Sequence, residues 1–152
     1  MIQMTMDLIE KYQRPVIKQT DFFSIEAMID TGAVFPVWMN DENKLLELGA
    51  VKKKDSVPLG GIGGMTCGTL YEIPTFRLGC LIYPNMGIIA HRSNFPVPIL
   101  LPATMFSNLI YEVDDCNHKF HVTIPETESR IRKLTIEDKN GRLHVLCVSG
   151  ED

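Results

Sequence analysis

The sequence predicts an all-β protein, and three observations carry that prediction. Turn-forming residues recur about every ten positions. The apolar runs between them are short, and only two segments carry helix signals in 152 residues. Runs of this length suit strands packed in a barrel or sandwich, whereas helices that build a core need longer periodic stretches.

Taken in order, "PVIKQT" (15–20) and "FFSIEAMI" (22–29) read as the first strands. "NDENKLLELGA" (40–50) predicts a helix, with Asn40 or Asp41 as its cap, Leu45, Leu46 and Leu48 on one side, and Gly49 as its stop. "SVPLGGIGG" (56–64) and "TLYEIPTFRLG" (69–79) read as strand arms about a glycine-rich turn, and "CLIYPNMGIIAH" (80–91) supplies the next strand. After "PVPILL" (96–101), Pro102 suits the first turn of a short helix, "ATMFSNL" (103–109). "IYEVD" (110–114) and "KFHVTIP" (119–125) are strands joined by a turn at "DCNH". "KLTIEDKNGRLHVLCVS" (133–149) is a β-hairpin with Asn140-Gly141 as a two-residue turn, since both positions favour the left-handed backbone that such turns require. The length suits a single domain, 1–152, with an extension from about Arg130 that is too small to be a domain of its own.

Hydrophobic residues make up 45% and charged residues 22%, as in a soluble globular protein, and the net charge is −4. That balance disfavours a nucleic-acid surface; the one basic run, Lys52-Lys53-Lys54, reads as a solvated loop. No apolar stretch approaches the roughly 18 residues of a membrane span. "MIQMTMDLIEKYQRP" (1–15) lacks the cationic start and uninterrupted apolar centre of a secretory signal. Cys67, Cys80, Cys116 and Cys147 are widely spaced with no C-x-x-C, so they are expected as reduced thiols, mostly buried, in a cytoplasmic protein.

Few motifs suggest chemistry. His118-x-x-His121 offers two ligands without a third, and in a strand they would face opposite ways, so no metal is expected. G-x-S-x-G is absent. "GGIGG" (60–64) lacks the Lys-Ser or Lys-Thr of a phosphate loop and reads as a flexible hairpin tip. Asp30 stands out. It ends an apolar run and is followed by Thr31, Gly32 and Ala33. A carboxylate there is costly to bury unless it is hydrogen-bonded or shares its charge state with another group.

"EAMIDTGA" (26–33), with "GGIGG" about thirty residues on and "ILLPATMFSNLIYEVD" (99–114) beyond it, resembles the retropepsins, the retroviral-type aspartic proteases, and their bacterial relatives. The resemblance covers roughly residues 15–124 and implies a retropepsin-like acid-protease β-barrel with one or two short helices, here carrying a C-terminal hairpin extension. It implies Asp30, Thr31 and Gly32 as catalytic residues. Ala33 and the glycine-rich hairpin, Gly60, Gly61, Ile62, Gly63 and Gly64, would face a peptide or protein substrate, with no cofactor. The motif occurs once, so the second aspartate must come from a second copy, and a homodimer is expected. The family's late apolar pair is usually followed by glycine; here Ile99-Leu100 is followed by Leu101. That departure keeps open a dimer of the same fold that binds peptide without cleaving it. A third reading makes Asp-Thr-Gly no more than a strand-end turn.

Overall fold

The computed structural model describes residues 1–11, 14–18, 22–61 and 64–151. Its elements run β1 (Ile2–Lys11), β2 (Arg14–Ile17), β3 (Ala27–Asp30), β4 (Val37–Trp38), α1 (Glu42–Glu47), β5 (Val51–Gly61), β6 (Gly64–Leu78), β7 (Leu81–Ala90) and β8 (Ile99–Pro102). A 3-10 helix (Ala103–Phe106) follows, then β9 (Ile110–Asp114), β10 (Lys119–Ile124), β11 (Arg132–Lys139) and β12 (Arg142–Ser149). The all-β expectation holds. Among the described residues no helix is long and apolar enough to cross a membrane.

Ten strands form one sheet in the order β5-β6-β7-β4-β8-β3-β2-β1-β10-β9, and β11 and β12 form a second. The large sheet is open, not the closed barrel expected. Its ends, β5 and β9, do not pair. Side chains 51–56 on β5 are exposed, three lysines among them, and its ladder shifts register between Lys52 and Lys54 and again between Lys54 and Val57. Closing the sheet there would cover charges in exchange for an irregular ladder. The lysine run therefore lies on a strand rather than a loop, although its side chains are exposed as expected.

The N-terminal strand was not foreseen. Ile2, Met4, Met6 and Leu8 alternate with Gln3, Thr5 and Asp7, a period-2 signal that ends where Ile9 follows Leu8. β1 pairs with β10 along residues 2–7 and with β2 along residues 8–11, so it joins two parts of the sheet. The two-residue β4 was also missed, being too short to carry a period. "PVIKQT" yields only β2, and Gln19 and Thr20 lie outside the described residues. The first half of "FFSIEAMI" is a turn: Phe23 and Ser24 take positive φ of 53° and 55°, which lets Phe22 turn into the core against Phe76 at 5.3 Å between ring centres.

Helix α1 is capped by Asp41, whose carboxylate accepts from the Asn43 N–H at 2.9 Å, and it stops at Gly49, where φ is +95°. Leu45 is fully buried while Leu46 is exposed, so the apolar side is narrower than expected. The C-terminal hairpin turns at Asn140 and Gly141, with φ of 54° and 80°, as its sequence requires.

That hairpin is no loose appendage. Leu134, Ile136 and Cys147 join the main core with Trp38, Tyr71, Phe76, Tyr83, Phe106 and Phe120. β11 lies so close over β7 that a Cβ at Gly87 would sit 3.0 Å from the Ile136 side chain. Cysteine placement differs from expectation: all four are unpaired, but only Cys147 is buried, while Cys67 and Cys116 are exposed.

Lys54 on β5 also reaches Asp138 on β11, at 2.7 Å between Nζ and Oδ2. The Lys54 ammonium, bonded to the carboxylate, and the Gly141 N–H hold the Asp138 carboxyl below the usual aspartate range. A depressed folded pKa contributes stability above the ordinary aspartate value and loses it as pH falls through the folded value. Wild type and Asp138→Asn should therefore differ in urea midpoint at neutral pH and converge in acid. Equal midpoints at both pH values would show that the pair does not couple the two sheets.

Candidate active site

Strand β3 sits inside the large sheet, antiparallel to β2 on one side and parallel to β8 on the other. Ala27, Met28 and Ile29 are buried, and Asp30, at the strand's carboxyl end, is half-buried. The chain turns at once. The Asp30 carbonyl accepts from the Ala33 N–H at 3.1 Å, and its carboxylate Oδ1 accepts from the Gly32 N–H at 3.0 Å. An aspartate that bonds a backbone N–H two residues on stabilises its own turn. One carboxylate oxygen is thereby oriented at the surface of the core, and Thr31, Gly32 and Val34 are exposed around it.

Gly32 does not take the left-handed backbone, and a Cβ there would meet Asp30 Oδ1 at an ordinary 3.4 Å. Neither strain nor crowding among the described residues accounts for glycine at this position. After the turn the chain returns to the sheet: the Pro36 carbonyl accepts from the Ile89 N–H at 3.0 Å, and Val37 and Trp38 pair with β7 and β8.

Behind the turn stands the β8 segment. Asp30 is in register with Pro102, and Ile29 with Leu101. The Leu101 side chain is fully buried in the main core. Leu101, the residue that follows the late apolar pair, thus fills the interior, and the Asp30 turn forms beside it. The 3-10 helix follows directly, and the Thr104 hydroxyl donates to the Val34 carbonyl, tying that helix to the turn. Sequence reasoning missed Thr104, because nothing in its spacing links it to Asp30.

The structure brings Asp30, Thr31, Gly32 and Ala33 together on one turn. The glycine-rich segment lies at the end of the β5–β6 hairpin, where Gly60 pairs with Met65 and Gly61 with Gly64. Ile62 and Gly63 lie outside the described residues. In strand order the hairpin is separated from β3 by β7, β4 and β8.

A different cluster was unforeseen. Glu112 and Asp114 on β9 and His121 on β10 bring potential ligand atoms within 4.8 Å of one another. His118 is not in that strand but in the turn before it, with φ of 55°. The Asp114 carboxylate already accepts from the Asn117 backbone at 3.1 Å and side chain at 2.9 Å, which hold its pKa down, and His121 Nδ1 lies 2.9 Å from the Thr5 hydroxyl. These bonds make the group a stitch between β9, β10 and β1.

A crystal structure of a retropepsin-like aspartic protease from Rickettsia conorii superposes with a TM-score of 0.54 at 11% identity, covering 80% of this chain and 89% of that one. The fold is retropepsin-like. No protein-family model and no curated protein matches the sequence.

Leu101 provides a check on how the turn is supported. Leu101→Ala should cost about 2–5 kcal/mol of stability in urea unfolding, the range for emptying a packed leucine site. A cost below about 0.5 kcal/mol would mean that the core collapses freely around the strand behind Asp30.

Proposed function

We propose that the protein is an aspartic endopeptidase of the retropepsin type, a homodimer in which one Asp30 from each subunit activates water against a peptide bond. The observation that carries this reading is the Asp30-Thr31-Gly32 turn at the carboxyl end of a buried strand, in a fold shared with an aspartic protease.

The chemistry requires two carboxylates. Water attacking a peptide carbonyl must lose a proton while the carbonyl oxygen gains one. Two aspartates held about 3 Å apart cannot both ionise, so the pair shares one proton and offers base and acid together. The ionised carboxylate takes the proton from water, and the protonated one gives its proton to the carbonyl oxygen. Collapse of the resulting diol sends a proton to the departing amine. Since Asp-Thr-Gly occurs once in the chain, two-fold symmetry supplies the partner.

Gly32 supports the dimer. Nothing among the described residues demands glycine there, whereas the backbone of a second turn across a two-fold axis would leave no room for a side chain. In this reading Thr31, exposed in the single chain, bonds across the axis beneath the carboxylates. Ala33 faces substrate, and the hairpin carrying Gly60, Gly61, Ile62, Gly63 and Gly64 folds over it. Four unpaired cysteines are consistent with a cytoplasmic setting.

Asp30→Asn should leave fold and dimer intact and abolish cleavage of a peptide library, because an amide cannot take the proton. Equal turnover by wild type and variant would end the proteolytic reading. If neither cleaves but both bind peptide equally, the second reading replaces it: a dimer of this fold that holds peptide without cutting, which the loss of the family's glycine at Leu101 favours.

Because each subunit would supply half a site, specific activity should fall on dilution through the dimer dissociation constant. Activity per mole that stays constant while sedimentation shows monomer would contradict the shared site.

A further inference from the structure

Arg132 is fully buried, alone in that respect among the charged side chains of the described residues. Its Nε donates to the Met105 carbonyl at 3.2 Å and its Nη2 to the Ser107 carbonyl. Nη1 lies 3.5 Å from the Ser149 hydroxyl, which donates to the Glu128 carboxylate. A guanidinium with its donors on two carbonyls at the end of one short helix holds that end in a fixed orientation, since the fork is planar and rigid. The Met105 carbonyl is gripped further. Tyr83 on β7 donates its hydroxyl to it at 2.9 Å, and the Cys147 thiol lies 3.7 Å away. Burial pushes the Tyr83 hydroxyl well above its usual pKa and raises the Cys147 thiol, so both remain protonated donors at neutral pH.

The same helix holds the Asp30 turn at its other side, through the Thr104 hydroxyl on the Val34 carbonyl. Contacts therefore run without a break from Arg132 through the 3-10 helix to the segment that follows Asp30-Thr31-Gly32.

We infer that Arg132 is a positioning residue for the candidate active site: from the C-terminal hairpin, through the 3-10 helix and Thr104, it sets the geometry of the Asp30 turn. The catalytic part of this inference rests on the proteolytic reading; the mechanical part does not. The hairpin supplies this support from beyond the residues that resemble the retropepsins, on the helix that follows Leu101. Displacing a catalytic carboxylate by an ångström can slow a reaction about 100-fold without touching substrate binding.

The experiment is a double-mutant cycle of Arg132→Gln and Thr104→Val in the full-length protein, read in two ways. Each substitution should lower kcat about 10- to 100-fold with KM within about three-fold, and the double variant should be little slower than the worse single one, because both cut one connection. Amide exchange at Ala33, whose N–H bonds the Asp30 carbonyl, should quicken in both variants. If Arg132→Gln does not fold, Tyr83→Phe takes its place in the cycle; it removes another donor from the Met105 carbonyl while keeping the ring. Folded variants with unchanged kcat and unchanged Ala33 exchange overturn the inference, as do losses that multiply fully in the double variant. A wild-type protein that cleaves no peptide, with Ala33 exchange responding as described, ends the proteolytic reading and upholds the mechanical link.

Discussion

Parallel pairing of β3 with β8 is the constraint on which the rest of the structure depends. Parallel neighbours cannot be joined by a tight turn; the chain must leave the end of one and return to the start of the other. Here the return journey is the whole of β4, α1 and β5–β7. Its apolar strands, β7 above all, fill the interior that buries Ala27 and Ile29, while Met28 is buried in a second cluster with Val16 and Val97. Because β3 is buried up to its last residue, a carboxylate at that residue marks the boundary between core and surface. The register Asp30 to Pro102 then places the 3-10 helix beside the turn.

The C-terminal hairpin answers a second requirement. The 3-10 helix is only four residues long and cannot satisfy its own last carbonyls. A buried arginine needs acceptors, and its charge is costly to bury without them. Each problem resolves the other at Met105 and Ser107, with Leu134 and Ile136 completing the apolar cover over β7. A segment that reads as an addition to a retropepsin-like core is thus part of the support of that core's candidate site.

Legibility in the sequence followed the range of the interactions involved. The Asn140-Gly141 turn, the Gly49 stop and a helix cap at Asn40 or Asp41 are decided within a few residues and were readable, the structure choosing Asp41. β1 alternates only from Ile2 to Leu8, and its reward for forming is distant pairing with β10. The first half of "FFSIEAMI" reads as strand by composition, yet becomes a turn because Phe22 packs against Phe76. Cysteine burial was misjudged for a similar reason: Cys67 and Cys116 are exposed by where their segments lie, not by their chemistry.

By itself the sequence determined the all-β class, the hairpins whose turns have obligatory residue types, and the candidate chemistry of Asp30 on a strand-end turn. Backbone preferences and apolar period act locally, so they can be read locally. Only the tertiary structure decided that the large sheet stays open, that Leu101 fills the core, that Thr104 ties the 3-10 helix to the chain after Asp30, and that Arg132 bonds the carbonyls of that helix. Those outcomes rest on contacts between residues far apart in the chain, where a buried arginine and an exposed one look alike until the carbonyls that hold it are in place.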